Sequence, residues 1–328
     1  MSILMGGSSS SGSSMLRYAL NADSRIFSGA ELNFFNKDIF FHDWNRYKHL
    51  LLGNPRRLST SGWAQYPGHR LLHQDYKWSA DELRQLVGDS QSLKEFYVSF
   101  FSRALSENAA THWVEKTPSN TYCFERFLKL DVANKVVHVV RNPYDTIASL
   151  LRRGHSPFFA VGTWIYNNSA ALSVASSDRY HRIVYEDLVR EPDSMFSSLF
   201  EFIGIPESSS VTVRPEKTDA LGIGTWGASP KGPVTANRVG GFFELDADLQ
   251  ESVKYAFSAF RIRDSVLAEK GLIFSSGKDL CDALGYDFYS SSSSRKLKFD
   301  FDLSSDWLKR TLLRYRTGMN NYPAKFLI

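Results

Sequence analysis

A glycine- and serine-rich tract near the N-terminus, GGSSSSGSS over residues 6–14, constrains the fold more than any other feature of the sequence. It lies between a short apolar run, Ser2 to Met5, and a second apolar pattern with helical spacing, Met15 to Leu20. Such tracts are usually flexible linkers, but a linker has no reason to join a strand directly to a helix. A loop that wraps an anion needs glycines for close backbone approach, hydroxyl donors and a helix N-terminus. The order strand, loop, helix therefore predicts a phosphate-binding loop.

The spacing Gly7-x-x-x-x-Gly12 in this loop matches that of nucleoside triphosphatases, which place a lysine directly after the second glycine. This chain has Ser13 at that position, so the cation that neutralises the β- and γ-phosphates is absent. We therefore expect a smaller anion than ATP or GTP. A P-loop-type nucleotide kinase and a non-catalytic nucleotide-binding module remain the alternatives.

Three later segments repeat the order of apolar strand, turn and helix. The strands are predicted at Thr111 to Val114, Lys135 to Val140 and Arg182 to Tyr185. Four strands that are each followed by a helix predict an α/β fold, with a central parallel sheet flanked by helices. The helices after the strands are predicted over 15–20, 118–130, 144–153 and 194–203, and four more over 80–86, 92–105, 159–175 and 245–257.

Length and composition indicate one large globular unit, because 328 residues with 43% hydrophobic content can fill a sizeable core. We expect a main domain over 1–270 and a C-terminal extension over 271–328 that packs on it. Residues 207–243, rich in Gly, Pro, Ser and Thr, are expected to form a long loop over a ligand. Residues 290–294 form a serine run that is expected to be flexible.

Charge and cysteine content limit the partners and the compartment. The net charge of +4 and pI of about 8.9 suit a small anionic ligand, without the dense basic clusters of a nucleic-acid surface. No apolar run approaches the roughly 20 residues that span a bilayer, so we expect no membrane partner. Cys123 and Cys281 are too few for a disulfide framework, and the N-terminus lacks a secretory pattern. We therefore expect a cytoplasmic location; the sequence does not predict an oligomeric state.

Four motifs follow one another along the chain: SGSSML at 11–16, EKTPSN at 115–120, RNPYDTIAS at 141–149, and a stretch at 185–206 that begins YEDLV and ends FIGIP. In this order they resemble the sulfotransferases that use 3'-phosphoadenosine 5'-phosphosulfate (PAPS). The first is similar to the family's 5'-phosphosulfate loop, the second to its Glu-Lys-Thr-Pro-x-Asn segment, and the third to its 3'-phosphate strand, loop and helix. The resemblance implies the P-loop-NTPase-like sulfotransferase fold.

Within that family the chain resembles the tyrosylprotein and bacterial branches, where a Gly-x-Glu element follows the loop and its helix. Gly29-Ala30-Glu31 matches this element. The resemblance implies that Glu31 is the base and that Lys116 assists the leaving phosphate. It also implies PAPS as co-substrate, 3',5'-adenosine bisphosphate (PAP) as product and no metal. The acceptor is expected to be a small molecule with a hydroxyl or amine, and the sequence does not distinguish O- from N-sulfation.

The nucleotide is expected to lie against two groups of residues. The resemblance assigns the 3'-phosphate to Arg141, Ser149 and Arg153, and the spacing places the last two four residues apart on one helix face. Tyr185 is interpreted either as an adenosine contact or as core, and Arg238 in the long loop as a further nucleotide contact, with a solvated charge as its alternative. The predicted binding residues are Ser10, Ser11, Gly12, Ser13, Ser14, Met15, Arg141, Ser149, Arg153, Tyr185 and Arg238.

One position departs from the family pattern. The family has Lys or Arg just before Ser-Gly, and this chain has Ser10, so positive charge at the reacting centre must come from elsewhere, with Lys116 the obvious source. Two other questions stay open at this point. The rival bases are His42, His69, His73 and His112. The aromatic residues interpreted either as an acceptor pocket or as core are Phe34, Phe35, Phe40, Phe41, Trp44, Trp63, Phe158, Phe159 and Trp164.

Overall fold

The computed structural model describes residues 1–52, 75–206 and 239–291. Within these residues five parallel strands form a single sheet in the order β2-β3-β1-β4-β5. The strands are β1 Ser2–Gly7, β2 Ile26–Phe27, β3 His112–Lys116, β4 Lys135–Val140 and β5 Tyr180–Val184. The four predicted strands are confirmed, whereas β2 was not predicted, because two residues are too few to show a periodic pattern.

Helices connect the strands. The α-helices are α1 Ser13–Leu20, α2 Ile39–His42, α3 Trp44–Tyr47, α4 Ala80–Asp89, α5 Leu93–Glu107, α6 Phe124–Leu130, α7 Pro143–Leu151, α8 Pro157–Leu172, α9 Tyr185–Arg190, α10 Pro192–Ile203, α11 Ala247–Ala259, α12 Asp264–Lys270 and α13 Gly277–Leu284. Short 3₁₀ helices cover Lys48–Leu52 and Pro118–Cys123. The predicted helix over 118–130 is thus a 3₁₀ turn followed by α6. The predicted helix over 144–153 ends at Leu151.

The central strand β1 determines where the functional loops meet. β3 pairs with one edge of β1 and β4 with the other, so that Met5 lies beside Lys116 on one side and Val137 on the other. Because all the strands are parallel, their carboxyl ends lie at one edge of the sheet. Gly6 and Gly7, and the residues that follow β3 and β4, therefore converge at this edge.

Both faces of the sheet are covered by apolar clusters, which confirms the α/β fold. Side chains alternate along β1: Leu4 joins the aromatic cluster under α4, α5 and α6, while Ile3 and Met5 join the cluster under α1 and α10. A further cluster combines α7, α8, α11 and α13. Among helices of the described residues, none is long and apolar enough to cross a membrane.

The C-terminal part of the described chain packs on the third of these clusters. Leu280 and Cys281 of α13 are buried beside Phe257 of α11. The boundary between the expected domain and its extension stays a prediction, and most of 271–328 lies outside the described residues. The expected long loop over 207–243 also lies mostly outside them; only 239–243 are described, as turns. Of the serine run at 290–294, only the first two residues are described.

Candidate active site

The serine loop, residues 6–14, leaves β1 and enters α1 through glycines that the packing requires. A Cβ atom on Gly6 would lie 2.9 Å from Thr121, and one on Gly7 would lie 2.1 Å from the carbonyl oxygen of Val139. Gly12 has φ +95°, and a Cβ there would lie 2.4 Å from the Tyr185 ring. The loop is therefore held against the ends of β3, β4 and β5 with no room for larger residues.

The start of α1 offers donors for which the described part of the chain provides no side-chain acceptor. Its N-cap is Gly12, which provides no side-chain acceptor for the first backbone N–H groups. The hydroxyls of Ser10 and Ser11 are buried and have no hydrogen-bond partner among the described residues. Ser10 is also a non-glycine residue with a left-handed φ of 70°. Free N–H groups, the positive end of a helix and buried hydroxyls form an arrangement suited to the oxygens of an anion.

Lys116 connects this loop to Glu31. It is the last residue of β3, and its side chain is only 2% exposed. Its Nζ donates a hydrogen bond to Ser14 Oγ at 3.0 Å and forms a salt bridge with Glu31. Glu31 is more open to solvent, with 31% of its side chain exposed. The two residues predicted to be catalytic are therefore in contact, and the lysine also contacts the loop.

A second cation reaches the loop from β4. Arg141 follows β4, is 5% exposed, and donates from Nη1 to the carbonyl oxygen of Ser10 at 3.2 Å. Its guanidinium lies over the Tyr185 ring, 4.6 Å from the centroid, and 4.0 Å from Asp145. Trp164 Nε1 donates to the Arg141 carbonyl oxygen at 3.0 Å. The side chain is thereby fixed beside the loop.

Tyr185 is a core residue that also borders the candidate site. It is buried in the cluster under α1 and α10, and the same ring contacts Gly12 and lies beneath the Arg141 guanidinium. The ring is thus core on one side and a wall of the candidate site on the other. Whether it contacts an adenosine stays a prediction.

Glu186 has a role that sequence reasoning missed. Glu186 and Asp187 both lie in the first turn of α9. The Glu186 carboxylate accepts from the backbone N–H of Asn142 at 2.9 Å and from the hydroxyl of Tyr286 at 2.9 Å. It therefore links the ends of β4 and β5 to the C-terminal segment. No local pattern in the sequence predicts these contacts, because the partners are far apart along the chain.

The remaining predicted phosphate contacts are placed less directly. Ser149 is half-buried near the end of α7. Arg153 is exposed and lies in the turn after Leu151, where its backbone N–H donates to the Leu150 carbonyl oxygen at 3.0 Å. A shared phosphate contact of Ser149 and Arg153 stays a prediction. The helix ends early because Gly154, with φ +81°, turns the chain. Arg238 lies outside the described residues.

Other candidates from the sequence lie away from the loop. His42 is exposed and is 3.4 Å from Asp38. His112 begins β3, at the opposite edge of the sheet from the loop, and burial lowers its pKa to about 4. His69 and His73 lie outside the described residues. Several of the aromatic residues are plain core, buried together in the cluster under α4, α5 and α6: Phe34, Phe35, Phe40 and Trp44.

The fold and the site define a parallel α/β protein whose polar loops and buried cations gather at the carboxyl edge of the sheet. A family model described as the sulfotransferase family matches residues 2–209. The chain belongs to the sulfotransferase family.

Two solved structures are similar to the chain. The sulfotransferase domain from the Synechococcus PCC 7002 olefin synthase is 19% identical, with a TM-score of 0.56 over 88% of this chain and 95% of that one. The sulfotransferase domain from the curacin biosynthetic pathway is 21% identical, with a TM-score of 0.54 over 88% and 98%. No curated protein matches the chain. The structural likeness confirms the sulfotransferase fold.

Proposed function

We propose that this protein transfers the sulfonyl group of PAPS to a hydroxyl or amine of a small-molecule acceptor. The observation that carries the proposal is the chain of contacts Ser14–Lys116–Glu31, which joins the serine loop to a carboxylate that is partly open to solvent. A purely structural ion pair would not need to contact the loop hydroxyl. A base connected to an anion cradle through one lysine is what in-line group transfer requires.

The residues of the serine loop fit a 5'-phosphate. The buried hydroxyl of Ser11 and the uncapped N–H groups at the start of α1 provide donors, and Gly12 lets the backbone approach closely. Arg141, with its planar fork of donors, is the proposed contact for the 3'-phosphate, together with Ser149 and Arg153. When bound, PAPS supplies a sulfonyl group whose transfer leaves PAP.

Glu31 is proposed to accept the proton of the acceptor. The acceptor oxygen or nitrogen forms a bond to sulfur, the bond from sulfur to the bridging phosphate oxygen breaks, and the electron pair of that bond stays on PAP. The proton passes to the carboxylate of Glu31, which forms a salt bridge with the Lys116 ammonium. Lys116, which contacts Ser14 of the loop, is also proposed to stabilise the negative charge that grows on the leaving phosphate and to compensate for the missing cation at Ser10.

Calorimetric titration separates this proposal from the P-loop kinase alternative. We expect PAP to bind without added metal and to bind more tightly than ATP with magnesium, because the loop has Ser13 where a triphosphatase has lysine. Absence of any binding heat with PAP would refute the proposal.

Substitutions separate it from a non-catalytic binding module. Transfer of label from ³⁵S-PAPS to a panel of phenols, alcohols, sugars and primary amines would identify an acceptor. Glu31→Gln and Lys116→Ala are then expected to lower kcat about 10²- to 10³-fold. PAP affinity should be largely retained in Glu31→Gln. Lys94→Ala is a matched control, because Lys94 is also ion-paired but lies on the surface with Asp131. If neither site variant slows transfer, the assigned roles are wrong.

A further inference from the structure

The segment that carries Glu31 has almost no secondary structure of its own. Residues 28–34 follow the two-residue strand β2 and belong to no helix or strand. Side chains from other parts of the chain instead hold its backbone. Before Glu31, Arg17 donates to the Gly29 carbonyl, Tyr76 Oη donates to the Ala30 carbonyl at 2.6 Å, and Asp75 accepts from the Ala30 N–H at 2.8 Å. After Glu31, Glu115 accepts from the Leu32 N–H at 2.8 Å and Thr117 accepts from the Asn33 N–H at 3.3 Å. The position of Glu31 therefore depends on these side chains.

Glu115 is the most deeply buried carboxylate of this set. It is 1% exposed, and its oxygens accept from the Leu32 N–H, from the Thr117 hydroxyl at 2.7 Å and from the Asn120 side-chain amide. Burial raises the pKa of Glu115, while the hydrogen bonds from Asn120, Leu32 and Thr117 act in the opposite direction. Three donors and no acceptor meet this group, so its surroundings match a carboxylate that receives hydrogen bonds.

Glu115 and Lys116, which are adjacent in β3, contact two neighbouring residues of the segment 28–34. Successive side chains of a strand point to opposite faces, so Glu115 and Lys116 diverge. Lys116 contacts the carboxylate of Glu31, whereas Glu115 contacts the backbone of Leu32, the next residue. The carboxylate and the backbone beside it are thus fixed from two directions by one rigid strand.

We infer that Glu115 is a positioning residue, which fixes the backbone beside Glu31 and thereby holds the proposed base at Lys116. The inference rests on the proposed function, in which Glu31 takes the acceptor's proton. Glu115 itself has no direct access to substrate because it is buried behind the segment. Its removal should act on kcat through the position of Glu31, since a displacement of about 1 Å can cost about 100-fold in rate.

A double-mutant cycle tests this coupling. Glu115→Gln keeps the size of the side chain but replaces one accepting oxygen with an NH₂ donor. The single oxygen that remains cannot accept hydrogen bonds from both Leu32 and Asn120 in their present positions. With the best acceptor from the panel and ³⁵S-PAPS, we expect kcat to fall about 10- to 100-fold while PAP affinity and stoichiometry stay near those of the parent protein. In a Glu31→Gln background the same change should alter the residual rate less than about twofold.

The outcomes distinguish a failure of the proposed function from a failure of the positioning role of Glu115. If Glu31→Gln alone leaves kcat unchanged, the proposed function is wrong in its choice of base. If Glu31→Gln slows transfer and the effect of Glu115→Gln simply multiplies with it, the positioning role is refuted while the proposed function stands. A matched control is Asp23→Asn, which alters a buried carboxylate at the opposite edge of the sheet and should leave kcat unchanged.

A second variant and a readout without catalysis cover the case in which Glu115→Gln folds poorly. Thr117→Val keeps the shape of the side chain but removes the hydroxyl that contacts Glu115 and the Asn33 N–H. We expect a smaller fall in kcat and faster hydrogen exchange at the Leu32 and Asn33 amides, with exchange in β4 unchanged. Unaltered exchange at both amides in both variants would overturn the inference.

Discussion

Replacing Gly12 with alanine tests whether the serine loop depends on close contact with Tyr185. Gly12 has φ +95°, a conformation that costs an L-residue about 1–2 kcal/mol. The new Cβ would also lie 2.4 Å from the Tyr185 ring, and forcing extra atoms into a packed site costs about 1–3 kcal/mol. The sum, about 2–5 kcal/mol, is a large part of the stability of an average domain.

Gly285→Ala provides the matched control. Gly285 also has a left-handed φ, +77°, but a Cβ there would have nothing within 4 Å. Urea unfolding followed by tryptophan fluorescence should therefore show a loss of only about 1–2 kcal/mol for Gly285→Ala. The difference between the two variants isolates the contact with Tyr185.

The same substitution should also reduce nucleotide binding. The Tyr185 ring packs against Gly12 and lies beneath the Arg141 guanidinium, so we expect displacement of the ring to displace the cation. We expect calorimetry to show PAP affinity reduced at least about tenfold in Gly12→Ala, equivalent to about 1.4 kcal/mol, and unchanged in Gly285→Ala. Equal losses of unfolding free energy in the two variants, with PAP affinity intact in both, would refute this reasoning.

Two further predictions concern β4 and the residue that follows it. His138 is fully buried, with its ring nitrogens 2.7 Å from the Tyr180 hydroxyl and 2.8 Å from Asn168 Oδ1, and burial lowers its pKa to about 4 from 6.5. Below pH 6.5 the unfolded chain binds a proton at this histidine that the buried ring does not bind, so His138 should lower the free energy of unfolding by roughly 2 kcal/mol between pH 7 and pH 5. In denaturant titrations at both pH values, His138→Gln should lose about that part of the fall and keep the part that comes from His112, whose pKa burial also lowers to about 4. An identical fall in that variant would assign the effect elsewhere. Arg141→Lys should weaken PAP binding about tenfold or more, because lysine lacks the planar guanidinium that contacts Ser10 and stacks on Tyr185. Undiminished PAP affinity in calorimetry would exclude Arg141 from the proposed phosphate site.

The strands and the serine loop could be predicted from the sequence because their signals are local. In the first unit an apolar run, glycines and a second apolar run are contiguous, and each of the three later strands is likewise followed directly by a turn and a helix. The strand β2 escaped prediction because two residues show no period. The helix α7 ends at Leu151, two residues before its predicted end, because Gly154 with φ +81° turns the chain.

Contacts between distant segments could be predicted only where the family resemblance supplied them. It suggested roles for Glu31 and Lys116, but their salt bridge depends on the pairing of β2 with β3 and on the path of residues 28–34. The contacts of Glu115 with Leu32 and of Glu186 with Asn142 were not predicted at all. Both are buried or half-buried carboxylates that accept backbone N–H groups far away in sequence, and composition or spacing carries no signal for such partners.

The missing cation at Ser10 allows a last test of where positive charge is required. Two cations already contact the loop: Arg141 donates to the carbonyl oxygen of Ser10 in its middle, and Lys116 donates to Ser14 Oγ at its end. If the proposed reaction needs charge near the loop rather than a lysine at one position, Ser10→Lys should restore at least about tenfold of the kcat lost in Lys116→Ala. Ser10 already has φ 70° as a non-glycine residue, so lysine there adds little backbone strain. Absence of any recovery in a double variant that still binds PAP would show that Lys116 acts through its contact with Glu31 instead.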